Sequence, residues 1–445
     1  VKKVNISEII DNSRFSKVHL TVLAWCIVLI LFDGYDLALL GAIIPSLHLE
    51  WGVSTTILGF VGSLTLIGSL IGSLICGIVA DKIGRKNIIV ACITIFGVFT
   101  FANAFVTNIT QFAVLRFLAG IGLGGIPPLL VTLTSEYSPK KIRNLMIGIM
   151  FSGYSVGGIL VSLLGIQLLP TYGWQSLFYI GALPLIALPF IMKTLPESLY
   201  YMVNKGEQED AKKIVKIINP TYPLNDHTML VTEMETTGVP IKRLFQDKRT
   251  KMTLLFWMIC FMGLLLVYGL TTWLPQLMVA SGFKLSSSLG FLLCLNVGAI
   301  VGSIIGGIAA DKMGTKKVLM LFYFVGGTSL ILLAFNPTVI VLYLLIGCCG
   351  AASIGAQNLN NACISTFFPS NMKSTALGTA LGVGRLGAIM GPTIGGLLLA
   401  SNGESYWSFI AFSIPAFLAF LAYACMPEKK TKEYASVSVK MSISK

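Results

Sequence analysis

Four side chains carry charge where charge is costly. Asp33, Asp36, Arg116 and Arg385 each interrupt a long apolar stretch. An ionisable group at membrane depth costs roughly 2.5 to 3.5 kcal/mol on insertion scales, so each one needs a partner or a function. Asp33 and Asp36 are three residues apart, which on a helix puts them on nearly the same face, with Gly34 between them giving neighbours close access. Two carboxylates in a desolvated cavity repel, so such a pair is suited to taking up and releasing a proton near neutral pH. That is the chemistry of proton coupling. The alternative is a structural ion pair between an aspartate and Arg116, and the two are compatible, because an ion pair that breaks on protonation is itself a coupling device. Arg385 is the first candidate for gripping an anion, since a guanidinium stays charged and can hold a carboxylate with two parallel hydrogen bonds. Arg116 could bind the anion instead, leaving Arg385 to gate.

These residues must be positioned by membrane-spanning helices. Of 445 residues 55% are hydrophobic and only 11% charged, and the mean hydropathy is +0.82. A soluble protein could not cover its surface with so few charges. Stretches able to cross a ~30 Å hydrocarbon core need about 20 helical residues, and twelve are found: 20–46, 55–80, 87–107, 109–136, 142–170, 174–195, 252–280, 285–310, 317–335, 338–368, 372–400 and 404–426. Backbone groups in lipid must be satisfied within their own segment, so these are helices. At ~1.5 Å rise per residue the four charged residues can share one central layer. The charged start, Val1 to Lys17, leads into a full-length span, unlike a cleavable signal peptide.

The formal net charge of +13 could suggest nucleic acid, but its placement argues for orientation. With the N-terminus inside and sides alternating, every Lys and Arg falls on the cytoplasmic side except Lys284, outside, and Arg116 and Arg385, within the membrane. The positive-inside rule therefore places both termini in the cytoplasm; the expected location is the cell inner (plasma) membrane. The expected organisation is an N-terminal arm (1–19), a six-helix bundle (20–195), a cytoplasmic loop (196–251), a second six-helix bundle (252–426) and a cytoplasmic tail (427–445). Within the loop, Glu207, Glu209, Asp210, Lys212, Lys213 and Lys216 beside Ile214, Val215 and Ile217 suit a short amphipathic helix on the cytoplasmic face. The halves also repeat. Gly77-Ile-Val-Ala-Asp81-Lys-Ile-Gly84-Arg85-Lys86 returns as Gly307-Ile-Ala-Ala-Asp311-Lys-Met-Gly314-Thr315-Lys316-Lys317, at an offset of 230. In transporters built from repeats the substrate site lies near the midplane between them, and rocking gives alternating access.

That doubled loop resembles the signature of the major facilitator superfamily, as do Arg116-xxx-Gly120-xxx-Gly124, Glu136-Tyr-Ser-Pro139-Lys-Lys-Ile-Arg143 and Pro196-Glu197-Ser198. Asp33-Gly34-Tyr35-Asp36 resembles the DG(F/Y)D motif of the aromatic acid:proton symporter family. Gly382-Val-Gly384-Arg385-Leu-Gly387 and Tyr268-Gly-Leu-Thr-Thr-Trp273-Leu-Pro275 are similar to that family's spans eleven and seven, and FDGYD with LNVGAI to its benzoate branch. The resemblance implies an all-α membrane protein with twelve helices in two pseudo-symmetric halves. It also implies that both aspartates matter for transport, and that Asp81, Arg85, Glu136, Arg143 and Asp311 belong to a charge network latching the inward gate. Gly391-Pro392-Thr-Ile-Gly395-Gly396 resembles a motif associated with antiporters, but there it lies in span five, so symport is favoured.

An aromatic acid also needs a flat apolar slot with few polar contacts. Tyr154, Tyr268, Trp273 and Asn296 are candidate walls, and Gln357 and Asn361, with Asn358 and Asn360, could meet ring substituents. The expected cargo is a small aromatic carboxylate, benzoate or hydroxybenzoate-like, imported with protons by a monomer; an exporter or exchanger of the same fold is the alternative. Gly120-x-Gly122-x-x-Gly125 sits within a span with no strand before it, and no GxxxxGK(S/T) occurs, so neither dinucleotide binding nor ATP-driven pumping is expected. The nine cysteines lie in apolar stretches without metal-ligand spacing, and His19, His48 and His227 are scattered outside the spans. No cofactor, metal or enzyme activity is expected.

Overall fold

The structure is a computed structural model describing residues 2–220, 222, 228–232, 241–246, 249–368, 372–402 and 405–426. The expected tail 427–445 and parts of the expected central loop, Lys248 and His227 included, lie outside the described residues. Twelve helices among the described residues are long and apolar enough to cross a membrane, numbered here as spans in chain order. The first six are Lys17–Trp51, Thr55–Ile83, Arg85–Asn103, Ile109–Tyr137, Leu145–Tyr172 and Gln175–Thr194. The last six are Thr250–Ala280, Leu285–Met313, Thr315–Leu333, Val339–Phe367, Thr375–Ser401 and Tyr406–Ala424.

Two spans depart from a uniform helix. The sixth divides into Gln175–Gly181 and Pro184–Thr194, because Pro184 has no N–H to continue the ladder. The tenth contains a five-residue π-helical turn, Ala351–Gly355, between Val339–Gly350 and Ala356–Phe367. A π turn holds an extra residue, so it rotates the rest of the helix beyond it.

The repeat in sequence is a repeat in packing. In the first half, spans one and five, two and four, and three and six pair; in the second half seven and eleven, eight and ten, and nine and twelve do the same. Both copies of the repeated loop turn on a glycine, Gly84 at φ 104° and Gly314 at φ 88°, a left-handed conformation that a Cβ would strain. Close crossings need glycine for another reason. A Cβ on Gly120 would lie 2.2 Å from the Thr65 carbonyl oxygen, and one on Gly124 1.9 Å from that of Ser69. The RxxxGxxxG spacing thus lays the fourth span directly on the second and fixes the height at which Arg116 projects.

At the end of the bundle that bears the N-terminus, the arm and the central loop fold together. Lys2–Asn5 pairs in parallel with Thr228–Val231, Lys2 opposite Thr228. The short helix Ile6–Asp11 buries Ile6, Ile9 and Ile10, and Gln208–Ile218 buries Ala211, Val215 and Ile218. The amphipathic loop helix expected at a membrane surface therefore spends much of its apolar face on the protein.

The glycine stripe makes a direct prediction. Gly124→Leu should cost about 3 kcal/mol or more through overpacking, seen as a lower thermal midpoint in detergent. Gly148→Leu, on the fifth span where a Cβ would meet nothing within 4 Å, should leave the midpoint unchanged.

Candidate functional site

One helical turn of the first span organises the polar centre, with each residue facing a different neighbour. Asp36 receives both terminal nitrogens of Arg116, Nη1 to Oδ1 at 2.6 Å and Nη2 to Oδ2 at 2.9 Å. Asp36 is 2% exposed and Arg116 1%. Tyr35 points the other way and donates to the Leu177 carbonyl of the sixth span at 2.9 Å. Gly34 lies against the backbone of Tyr154 on the fifth span, where a Cβ would come within 1.9 Å of the carbonyl oxygen. Asp33 is the fourth member. It is partly exposed and makes no hydrogen bond or ion pair among the described residues.

Asp33 and Asp36 line a cavity of about 40 Å³, with Arg116, Ser69, Tyr154, Tyr268, Thr65 and Thr272 as its other polar or aromatic residues. Leu37, Leu40, Leu66, Leu123 and Pro392 supply an apolar wall. That volume holds a few water molecules and no aromatic ring. Arg385 reaches the same region from the eleventh span. Its Nη1 donates to Ser73 Oγ at 3.0 Å and to the Ser69 carbonyl at 3.3 Å, and it interacts electrostatically with Asp33.

The cavity lies on the seam between the halves, which is formed by spans one and seven, two and eleven, and five and eight. Thr55 Oγ1 donates to the Gly396 carbonyl at 3.0 Å, Ser63 and Thr393 share a hydroxyl bond at 2.7 Å, and Tyr154 donates to Tyr268 at 3.4 Å. Among the described residues, no hydrogen bond between the halves lies nearer the N-terminal end of the bundle than Arg385 to Ser73. The seam is therefore closed at the end remote from the termini.

A sequence profile described as Major Facilitator Superfamily matches residues 26–301 and 291–442. The chain belongs to the major facilitator superfamily. A benzoate transport protein of Acinetobacter baylyi is 40% identical over 98% of this chain and 96% of that protein. A gentisate transporter of Corynebacterium glutamicum is 34% identical over 95% of this chain and 92% of that protein. These relatives place the chain with the benzoate branch of the superfamily's aromatic acid transporters. Among solved structures, the xylose transporter XylE from E. coli superposes with a TM-score of 0.73 at 18% identity, covering 93% of this chain and 100% of that one, a likeness of fold. The chain is a multi-pass transporter, not an enzyme.

Within this superfamily fold, several residues singled out by sequence stand away from the cavity. Trp273 is fully buried and donates to the Pro392 carbonyl at 2.8 Å within the second half, and its ring packs across the seam against Gly59 of the second span. Asn296 donates to the Leu292 carbonyl of its own helix at 2.9 Å and lies against Gly158 of the fifth span. Downstream of the π turn, Gln357 contacts Asn361 at 3.4 Å, Asn358 bonds Ser303 at 3.2 Å, and Asn360 bonds Cys260 and Tyr423. That polar run joins helices and is not among the residues lining the cavity. Sequence reasoning missed Ser69 and Ser73, the partners of Arg385; their i, i+4 spacing on one face of the second span was the available signal.

The superfamily loop residues gather within the first half. Arg85 pairs with Glu136, Ser198 Oγ donates to Glu136 Oε2 at 2.6 Å, and the Lys86 N–H donates to Glu197 Oε1 at 3.0 Å. Arg143 reaches the arm instead, donating to Asp11 Oδ1 at 2.5 Å. Asp81 and Asp311 are exposed and have no partner among the described residues.

Breaking the central pair should expose its worth. Arg116→Gln leaves Asp36 buried without a counter-ion and should cost about 3 to 5 kcal/mol, read as a lower thermal midpoint in detergent. The double variant Asp36→Asn, Arg116→Gln should recover part of that loss; a double variant as unstable as the two losses combined would show that no coupling exists.

Proposed function

We propose that this chain imports a small aromatic carboxylate together with protons by alternating access. The observation that carries this reading is Asp33: a carboxyl group on the cavity wall, without an ion-pair partner among the described residues, within electrostatic reach of Arg385. Its neighbour Asp36 is already committed to Arg116. The two carboxylates thus divide the work, Asp36 holding spans one and four together and Asp33 exchanging the proton.

Coupling is then a matter of shared charge. Arg385 is the counter-charge that Asp33 feels from the second half. A substrate carboxylate that binds Arg385 takes that counter-charge and adds its own negative charge nearby. Asp33 takes up a proton as a result, so anion and proton load together. Tyr154 and Tyr268 flank the site with flat rings, and the leucines with Pro392 offer an apolar surface that suits an unsubstituted ring. The names of the relatives, benzoate and gentisate transporters, support an aromatic acid as cargo.

The positive-inside bias supports both termini in the cytoplasm, and the proposed location is the cell inner membrane. On that orientation the closed end of the seam is the outer one, and this conformer faces the cytoplasm. The whole path lies within one chain, so a monomer suffices.

Reconstitution tests the reading. Liposomes containing the protein and an internal pH dye should take up labelled benzoate with acidification above a protein-free control, which is needed because benzoic acid crosses bilayers unaided. Benzoate efflux coupled to proton entry, or inertness towards benzoate and its hydroxylated relatives, would sink it. Asp33→Asn should retain benzoate counterflow while losing roughly tenfold or more of the accumulation driven by a pH gradient; full accumulation would make Asp33 structural.

A further inference from the structure

Arg385 does not wait in open space. It crosses the seam from the eleventh span and is held by the second, through Ser73 Oγ at 3.0 Å and the Ser69 carbonyl at 3.3 Å. Ser73 is set up as an acceptor: its own hydroxyl donates to the Leu70 carbonyl one turn back at 2.8 Å, which leaves its lone pairs for the guanidinium. Ser73 is ten residues from Ile83, and Arg385 ten from Thr375, the ends of their spans nearest the termini. The bond therefore marks the limit of the closed seam, and Ser69 is part of the cavity wall.

We propose that Ser73 is a positioning residue that parks the Arg385 guanidinium on the second span in the empty carrier, so that a carboxylate binds by taking the guanidinium from it. Both parking partners are neutral oxygens. A carboxylate offers two charged acceptors in a plane that matches the guanidinium, and a charge-assisted pair is roughly twice as strong as a neutral bond. The exchange is thus downhill for a carboxylic anion and not for a neutral or singly hydrogen-bonding ligand. It also changes the seam, because the bond given up joins the halves and the bond gained does not require the second span. Substrate binding therefore loosens this conformer, and the parking interaction sets an affinity cost that every ligand must meet.

The inference rests on Arg385 being the carboxylate anchor, and the experiment separates the two. Labelled benzoate binding to the purified full-length protein is measured for the parent, Ser73→Ala, Ser73→Thr, Arg385→Gln and Ser73→Ala with Arg385→Gln. Ser73→Ala should bind benzoate roughly two- to tenfold more tightly, the worth of one neutral hydrogen bond removed from the empty state. Ser73→Thr, which keeps the hydroxyl, should bind like the parent, and the gain from Ser73→Ala should vanish in the Arg385→Gln background. Unchanged or weaker binding by Ser73→Ala, with binding lost in Arg385→Gln, overturns the parking role and leaves the anchor standing. Parental binding by Arg385→Gln overturns the anchor and the parking role together.

Discussion

Everything near the midplane depends on the rule that a buried charge must be answered. Arg116 and Asp36 answer each other with two parallel hydrogen bonds at 2.6 and 2.9 Å, in surroundings where a lone charge would be costly. That pairing fixes the height of the first span against the fourth. It also leaves Asp33, one turn away on the same helix, as the carboxyl group that is not consumed by structure. Tyr35 and Gly34 complete the constraint by tying the same turn to the sixth and fifth spans. A four-residue motif thus addresses three neighbouring helices and a cavity.

Much of this was legible in the sequence, and the reasons are physical. Span number comes from apolar length, and the repeat from loops that must turn on Gly84 and Gly314. The cost of charge in lipid singled out Asp33, Asp36 and Arg116, which line one cavity, and Arg385, which bonds Ser69 of its wall. What the sequence could not divide was the labour among them, because helix spacing put Asp33 and Asp36 on one face without saying which of them Arg116 would meet. The polar residues of the tenth span were harder still. Gln357 and its neighbours could be read as packing or as ligand contacts, and the π turn at Ala351–Gly355 rotates the helix in a way that periodicity counted at 3.6 residues per turn does not register. Trp273 is ambiguous for a different reason: an aromatic ring that seals a helix crossing looks in sequence like one that lines a slot. The pairing of the arm with Thr228–Val231 joins segments far apart in the chain, and no local pattern announces it.

The two halves share packing but not chemistry. At the repeat offset, Asp33, Asp36 and Arg116 correspond to Gly263, Leu266 and Ile346, so the second half has lost, or never had, the charged centre. Its contribution to the site is Arg385, whose counterpart in the first half is Ser155. A symmetric scaffold therefore presents an asymmetric interior, with carboxylates on one wall and, on the other, a cation that hydrogen-bonds neutral oxygens. In the proposed cycle the proton and the anion meet from opposite halves, and each is completed by the other's wall only when the seam is formed.

The narrowness of the cavity sets an order of events. At about 40 Å³, the space beside Asp33 admits a short file of water but excludes a ring. A ring can leave only while the walls stand apart, whereas a proton can still exit after they have drawn together, passed along water that remains. In the proposed carrier, release towards the cytoplasm is therefore sequential, ring first and proton second. Were the walls to draw together once the ring departs, they would act as a ratchet, barring the ring's return while the proton has yet to leave.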